Sequence, residues 1–198
     1  MAQVSVGRNH PFGAIGTPDA PRRTGFGSAG VLEVLARWTR VAGQPRANLA
    51  ALTAAGLAPW NPGADGAVTA LATYGGTVAV GGEFTHIGAE ARPHLAMLSP
   101  STGLPGRRQL DVDGPVAVLA QAGPLLYVGG DFRTVGGQPR RSLASVNGTL
   151  QLTAWNPGAE GRVQAVAGYA GTIVVGGEFT NAGGRPRRNL AAIDAAGA

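Results

Sequence analysis

Gly81-Gly82-Glu83-Phe84, Gly129-Gly130-Asp131-Phe132 and Gly176-Gly177-Glu178-Phe179 are three copies of one tetrad, each closing a run of β-branched and apolar residues. Their starts lie 48 and 47 residues apart. A near-constant period in that range, built on strand-like segments, is the mark of stacked or radially arranged β units.

Aligning on the tetrads brings the rest of the unit into phase. Eight residues after each Phe stands an Arg (Arg92, Arg140, Arg187), and three further on a Leu-Ala pair (Leu95-Ala96, Leu143-Ala144, Leu190-Ala191). A degenerate upstream copy places Trp38 at the Phe position, Arg46 at the Arg position and Leu49-Ala50 at the pair, with Leu35 and Ala36 where the glycines belong. Two copies share a longer string, Trp60-Asn61-Pro62-Gly63-Ala64-Asp65-Gly66 and Trp155-Asn156-Pro157-Gly158-Ala159-Glu160-Gly161. The copy between them carries Arg108 at the Trp position yet keeps Asp113-Gly114 in phase. Length varies only between Leu52 and Trp60, Leu98 and Arg108, and Val146 and Trp155, which marks a hairpin loop at the edge of the unit.

Each unit resolves into four short strands. The first begins at Val68, Val116 or Val163; the second is the run before the tetrad; the third carries the Leu-Ala pair; the fourth ends at Trp60 or Trp155. The second lacks polar alternation, so both of its faces are expected to be buried. Four short antiparallel strands in 40 to 50 residues, repeated and buried on both sides, describe a propeller blade. On this reading the tetrad glycines supply backbone freedom, while Phe84, Phe132 and Phe179 plug the gap to the next layer.

In these features the chain resembles the bacterial delta-sixty repeat family of β-propellers, whose units read V-G-G-x-F-T, then Gly-Gly, Arg and Leu-Ala. Val80 to Thr85, Val128 to Phe132 and Val175 to Thr180 match, as do Gly136-Gly137 and Gly183-Gly184; Arg133 and Gly88-Ala89 depart from the pattern. The resemblance covers roughly Val31 to Ala198. It implies a propeller fold, frequent export to the outside or the cell surface, and no assigned catalytic residues.

The expected fold is therefore an all-β, propeller-type array of four-stranded blades, incomplete at about three and a half repeats. It comprises a partial unit over 31–65, full units over 66–113 and 114–160, and a partial unit over 161–198. Met1 to Gly30 shows no repeat and, with Pro11, Pro18 and Pro21 among Gly and Arg, is expected to be disordered or foreign to the array. Because an incomplete array leaves faces and edges uncovered, the expected partners are further propeller repeats or a self-associating copy.

Composition agrees with many turns and short strands. The 198 residues include 33 Gly and 14 Pro, and 44% are apolar. The absence of Cys excludes disulfides and thiolate metal sites. No run of about 18 apolar residues forms a membrane-spanning helix. The net charge of +5 is carried on the basic side by Arg alone, which suits planar pairing with carboxylates or phosphates.

Two columns of charge recur: Arg46, Arg92, Arg140 and Arg187, and the tetrad acids Glu83, Asp131 and Glu178. They read either as a structural ladder, each Arg holding a tetrad carboxylate of its own or the adjacent blade, or as a guanidinium ring for phosphate, sulfate or an acidic glycan. A residue fixed in every repeat usually serves the repeat, which favours the ladder. Asp65, Asp113 and Glu160, each before a Gly, read as turn formers, since one carboxylate per period cannot assemble the six to eight oxygens of a Ca²⁺ site. His10, His86 and His94 lack metal-ligand spacing, and no serine sits in a nucleophile elbow.

The expected function is therefore a non-catalytic binding or scaffold module without cofactor, open to a protein or glycan ligand and, less readily, to a polyanion. One alternative is a fragment of a quinoprotein-like propeller enzyme, because Leu49 to Trp60 looks like the tryptophan-docking blade of those dehydrogenases. The other is a purely structural spacer.

Overall fold

The computed structural model describes residues 39–53, 56–194 and 197. The segment expected to be disordered, 1–30, lies outside them, as do Leu35, Ala36 and Trp38 of the degenerate copy. Below, the repeats are counted from the partial one around Arg46: first (to Asp65), second (66–113), third (114–160) and last (from 161).

The chain is all-β. Strands β1 (Val68–Tyr74), β2 (Thr77–Gly82) and β3 (Leu95–Leu98) form the sheet of the second repeat. That of the third is β4 (Val116–Ala122), β5 (Leu125–Gly130) and β6 (Leu143–Val146). The last holds β7 (Ala159–Tyr169), β8 (Thr172–Ala182) and β9 (Leu190–Ile193). In each, the strand carrying the tetrad runs between the other two and is antiparallel to both.

Local chemistry sets these pairings. β1 turns into β2 through Gly75 and Gly76, with φ of 56° and 74°, a two-residue turn whose positive angles match the twist of the flanking strands. Register then slips between Val68 and Ala70, between Val116 and Val118, and between Val163 and Ala165, so the same bulge at Thr69, Ala117 and Gln164 bends every first strand.

The fourth strand is weaker than the sequence pattern suggests. It survives as single bridges, Leu98 to Pro105 and Val146 to Leu152, and in the first repeat as the short pair Leu52–Thr53 with Gly56–Leu57. Proline offers no N–H to a ladder, and Pro59 and Pro105-Gly106 interrupt two of these segments. The sheets are accordingly three-stranded at their cores. Each repeat also adds a small hairpin between tetrad and Arg: His86–Ile87 with Glu90–Ala91, Thr134–Val135 with Gln138–Pro139, and the end of β8 with Arg185–Pro186. The first repeat has it too, as Arg40–Val41 with Gln44–Pro45.

Three buried clusters lie between successive repeats rather than within them. Leu49 and Trp60 of the first repeat meet Val68, Val80 and Phe84 of the second. Tyr74 and Leu95 meet Val116, Val128 and Phe132 of the third, whose Tyr127 and Leu143 meet Val163, Val175 and Phe179 of the last. Each tetrad Phe thus fills the gap to the preceding repeat, a correction to the expected direction.

Candidate functional site

The repeat residues gather at the tetrad, where β2, β5 and β8 leave their sheets. The glycines there are needed for room. None of Gly81, Gly82, Gly129, Gly130, Gly176 and Gly177 has a positive φ, which corrects the expectation of backbone freedom. A Cβ on Gly81 would lie 2.5 Å from Val116 Cγ1 of the next repeat, and one on Gly129 would lie 2.8 Å from Val163 Cγ1. On Gly82 and Gly130 it would lie 2.1 Å from the carbonyl oxygens of Ala67 and Pro115. The first glycine admits the neighbouring repeat; the second admits the incoming loop.

The acids between Gly and Phe point to solvent. Glu83, Asp131 and Glu178 are exposed, and Glu178 Oε1 accepts a hydrogen bond from Gln164 Nε2 at 3.1 Å. Among the described residues no ion pair joins them to Arg46, Arg92, Arg140 or Arg187. The expected ladder is not formed, because the arginines turn inward.

Arg46, Arg92 and Arg140 are 7–8% exposed, with guanidinium groups spent on main-chain carbonyls. Nη1 donates to the residue before it (Pro45 O 2.8 Å, Ala91 O 2.7 Å, Pro139 O 2.7 Å). Nη2 reaches across to the fourth segment (Ala58 O 3.1 Å, Gly106 O 3.0 Å, Thr153 O 2.8 Å). Each Arg is a strut between the small hairpin and the outermost segment of its own repeat. Arg92 adds an ion pair at 2.6 Å with Glu90, two residues away rather than at the tetrad.

Two further fixtures accompany the strut. Asn48, His94, Ser142 and Asn189, each two residues after the Arg, all take positive φ between 58° and 65°. At three of these positions the N–H bonds the tetrad Phe carbonyl and the carbonyl accepts from the second tetrad glycine: His94 with Phe84 and Gly82, Ser142 with Phe132 and Gly130, Asn189 with Phe179 and Gly177. Sequence reading missed this residue because its type changes from copy to copy; the two Asn, which tolerate the left-handed region, were the available signal.

Asp65, Asp113 and Glu160 do more than form turns. Asp65 Oδ1 accepts the N–H groups of Thr85 and His86 at 2.8 and 2.9 Å, and Oδ2 accepts the Thr85 hydroxyl at 2.6 Å. Asp113 Oδ1 caps Arg133 and Thr134 at 2.8 and 2.9 Å. Partial burial alone raises these carboxyls, but the hydrogen bonds outweigh it: Thr85 and His86 hold Asp65 well below the usual carboxylate range, and Thr134 and Arg133 lower Asp113. Glu160 instead accepts from the Asn181 amide and lies 3.6 Å from Arg141.

Trp60 and Trp155 pin successive repeats. Their Nε1 atoms donate to Ser99 O and Asp194 O at 3.0 and 3.1 Å. Arg108, at the Trp position of the second repeat, makes the equivalent link through Nη1 to Thr149 O at 2.8 Å.

Among the described residues two surfaces are open to outside contact. One is an open groove of roughly 680 Å³ on the third repeat, lined by Asp131, Arg133, Arg141, Ser142 and Glu160 and reaching Gly161 at the start of the last. The other is the outward side of the last sheet. There Ala165, Ala167 and Leu190 are exposed and Val174 is half-buried, whereas Ala70, Ala72, Leu95 and Ala79 at the matching positions are buried. Tyr169 is 82% exposed against 5% for Tyr74. The nearest atom to a Cβ on Gly176 is 3.6 Å away, so the slot filled at Gly81 and Gly129 stands open.

Among the described residues no group of three or more His, Asp or Glu side chains is placed to hold a metal ion. No curated protein matches the chain. Residues 171–197, from the turn after β7 to beyond β9, match a family described as a domain of unknown function (DUF5122) beta-propeller.

Proposed function

We propose that this chain is a non-catalytic propeller segment of the delta-sixty type, its repeats four-stranded blades, and that it works as a binding or scaffold module. The observation that supports this most is the last repeat. Ala165, Ala167, Tyr169, Val174, Gly176 and Leu190 present the surface that the second and third repeats bury against their successors. A face built from the same positions accepts the same partner, another repeat of this construction. Such a repeat would come from further propeller repeats or from a second copy adding head to tail by a heterologous contact.

Sedimentation velocity over a concentration series tests this. Reversible association is expected, and Tyr169→Glu and Gly176→Leu should each suppress it while leaving the far-ultraviolet circular dichroism unchanged. A chain that stays monomeric throughout, or associates equally well with either change, would favour the spacer reading. A quinone absorbance in protein purified from its native source would favour the enzyme alternative.

A further inference from the structure

Three residues lining the groove on the third repeat differ from their counterparts in the other repeats. Ser142 stands where the first two carry Asn48 and His94. Asn48 Nδ2 donates to Ala64 O at 2.9 Å and His94 Nδ1 lies 3.1 Å from Gly82 O, so those longer side chains are spent on the main chain. Ser142 makes neither bond, and Ala159, which matches Ala64, lines the groove beside it. Arg133 stands where the other repeats carry Thr39, Thr85 and Thr180, and Arg141 where the first two carry Ala47 and Pro93. Among the described residues only the third repeat brings both arginines together.

The chain at Phe132 and Arg133 is bonded to the chain at Arg140 to Ser142 (Arg140 N to Arg133 O at 2.8 Å, Ser142 N to Phe132 O at 2.9 Å), which sets the two cations on neighbouring segments. Like charges so placed repel unless something negative lies between them. Glu160 Oε1 is 3.6 Å from Arg141, longer than the roughly 2.7–2.9 Å of a charge-assisted hydrogen bond, and Arg141 is 70% exposed. Among the described residues neither Arg133 nor Asp131 makes an ion pair. The main chain around the groove, by contrast, is already engaged. The N–H groups of Asp131, Arg133, Ser142 and Ala159 and the carbonyls of Phe132, Arg133 and Arg141 all have partners. What meets a ligand is therefore a set of side chains: two planar cations, two carboxylates and one hydroxyl.

We propose that this groove binds an acidic saccharide, with a uronate carboxylate held between Arg133 and Arg141 and ring hydroxyls donating to Asp131 and Glu160. The planar guanidinium forks match a carboxylate, and the two acids, which can only accept, match hydroxyl donors. Because the acids balance the arginines, a dense polyanion is disfavoured, and a ligand with one negative charge among several hydroxyls is suited. An extended peptide is held through main-chain bonds to a sheet edge, and the engaged main chain here offers none. The volume of roughly 680 Å³ lies within the range of small-molecule sites, about 300–1,000 Å³. The inference rests on the chain being a binding module, but it concerns a different surface from the open face of the last sheet.

The probe is linear trigalacturonate, titrated into the full chain by isothermal calorimetry. Saturable binding with Kd below about 1 mM is expected. The methyl-esterified trimer keeps the hydroxyls and loses the charge, and should bind at least about tenfold more weakly. Sodium acetate offers the charge without the hydroxyls and should not displace the trimer even in large excess. Arg133→Thr and Ser142→Asn install residues that other repeats carry at these positions, so both variants should keep the parent's circular dichroism, and each should weaken binding at least about tenfold. The ester and acetate leave the protein untouched, so they decide the matter even if a variant folds poorly. No saturation up to about 1 mM, equal binding of the ester, displacement by acetate, or undiminished binding to both variants overturns the proposal. Tighter binding of the zwitterionic dipeptide lysyl-glutamate overturns it too. Absence of trimer binding beside persistent, Tyr169-dependent association would overturn this inference alone.

Discussion

The hydroxyl of Tyr74 donates to the carbonyl oxygen of Pro124, 2.6 Å away in the next repeat. The Tyr74 hydroxyl oxygen also lies 3.2 Å from Val146 O, so one phenol sits between the β4–β5 turn and the end of β6 in the neighbouring sheet. Tyr169, at the same point of the last repeat, stands in solvent. Tyr74→Phe should therefore cost about 1 to 2 kcal/mol, leaving a buried carbonyl less well satisfied, while Tyr169→Phe should change nothing measurable. Urea denaturation of the two variants checks this, and equal effects would contradict the difference between an occupied and an open face.

The glycine slots give a second contrast. A methyl at Gly129 meets Val118 and Val163 Cγ1 at 2.8 Å, so Gly129→Ala should lose about 1 to 3 kcal/mol through overpacking. Gly176→Ala should stay within about 0.5 kcal/mol, since nothing crowds that position. At Gly130 the obstacle is a backbone carbonyl, which cannot turn away as a side chain can, so Gly130→Ala should be the most damaging of the three in thermal unfolding.

Replacing a strut strands the carbonyls it holds. Arg140→Ala should destabilise by about 1 to 3 kcal/mol, and Arg140→Lys should recover only part of this, because an ammonium cannot span Pro139 O and Thr153 O as the planar fork does. Combination with Asp131→Ala should be additive within about 0.5 kcal/mol, since the two side chains share no bond. Strong coupling in that double-mutant cycle would restore the ladder of Arg140 with Asp131.

Acid should loosen the tetrad loops through Asp65 and Asp113. Both carboxyls are held below their ordinary range in the folded chain, so the folded state takes up their protons less readily than the unfolded one. The stability they contribute is complete above about pH 4 and is lost as pH falls from there toward the folded values. Asp65→Asn and Asp113→Asn should flatten the acid limb of a stability-against-pH curve. An unchanged limb in the double variant would assign acid sensitivity to other groups.

Much of this fold is legible in the chain because spacing is conserved between copies. The tetrads, the Leu-Ala pair and the Trp or Arg108 position all land where equal intervals put them. The substitution of Arg108 for Trp is intelligible only with coordinates, since what the two residues share is an N–H at the right reach, not size or polarity. Partners were harder to read than positions. An arginine column beside a carboxylate column invites pairing by charge, yet buried carbonyls at a fragmentary outer strand had the stronger claim on the guanidinium groups. The caps of Asp65 and Asp113 were hidden for another reason. Their N–H partners lie some 20 residues downstream and belong to the main chain, which leaves no mark in residue type.

The lock between Gly81 and Val116, repeated between Gly129 and Val163, carries a consequence for how such a chain lengthens or shortens over generations. A stretch of gene duplicated in phase with the period sets a new valine against an existing glycine and a new glycine against the valine that follows, so copy number can change in one step without repair elsewhere. A junction out of phase places some other side chain over the glycine slot, and the product is lost at folding. The interlock thereby filters recombination, admitting whole units and rejecting fractions of them.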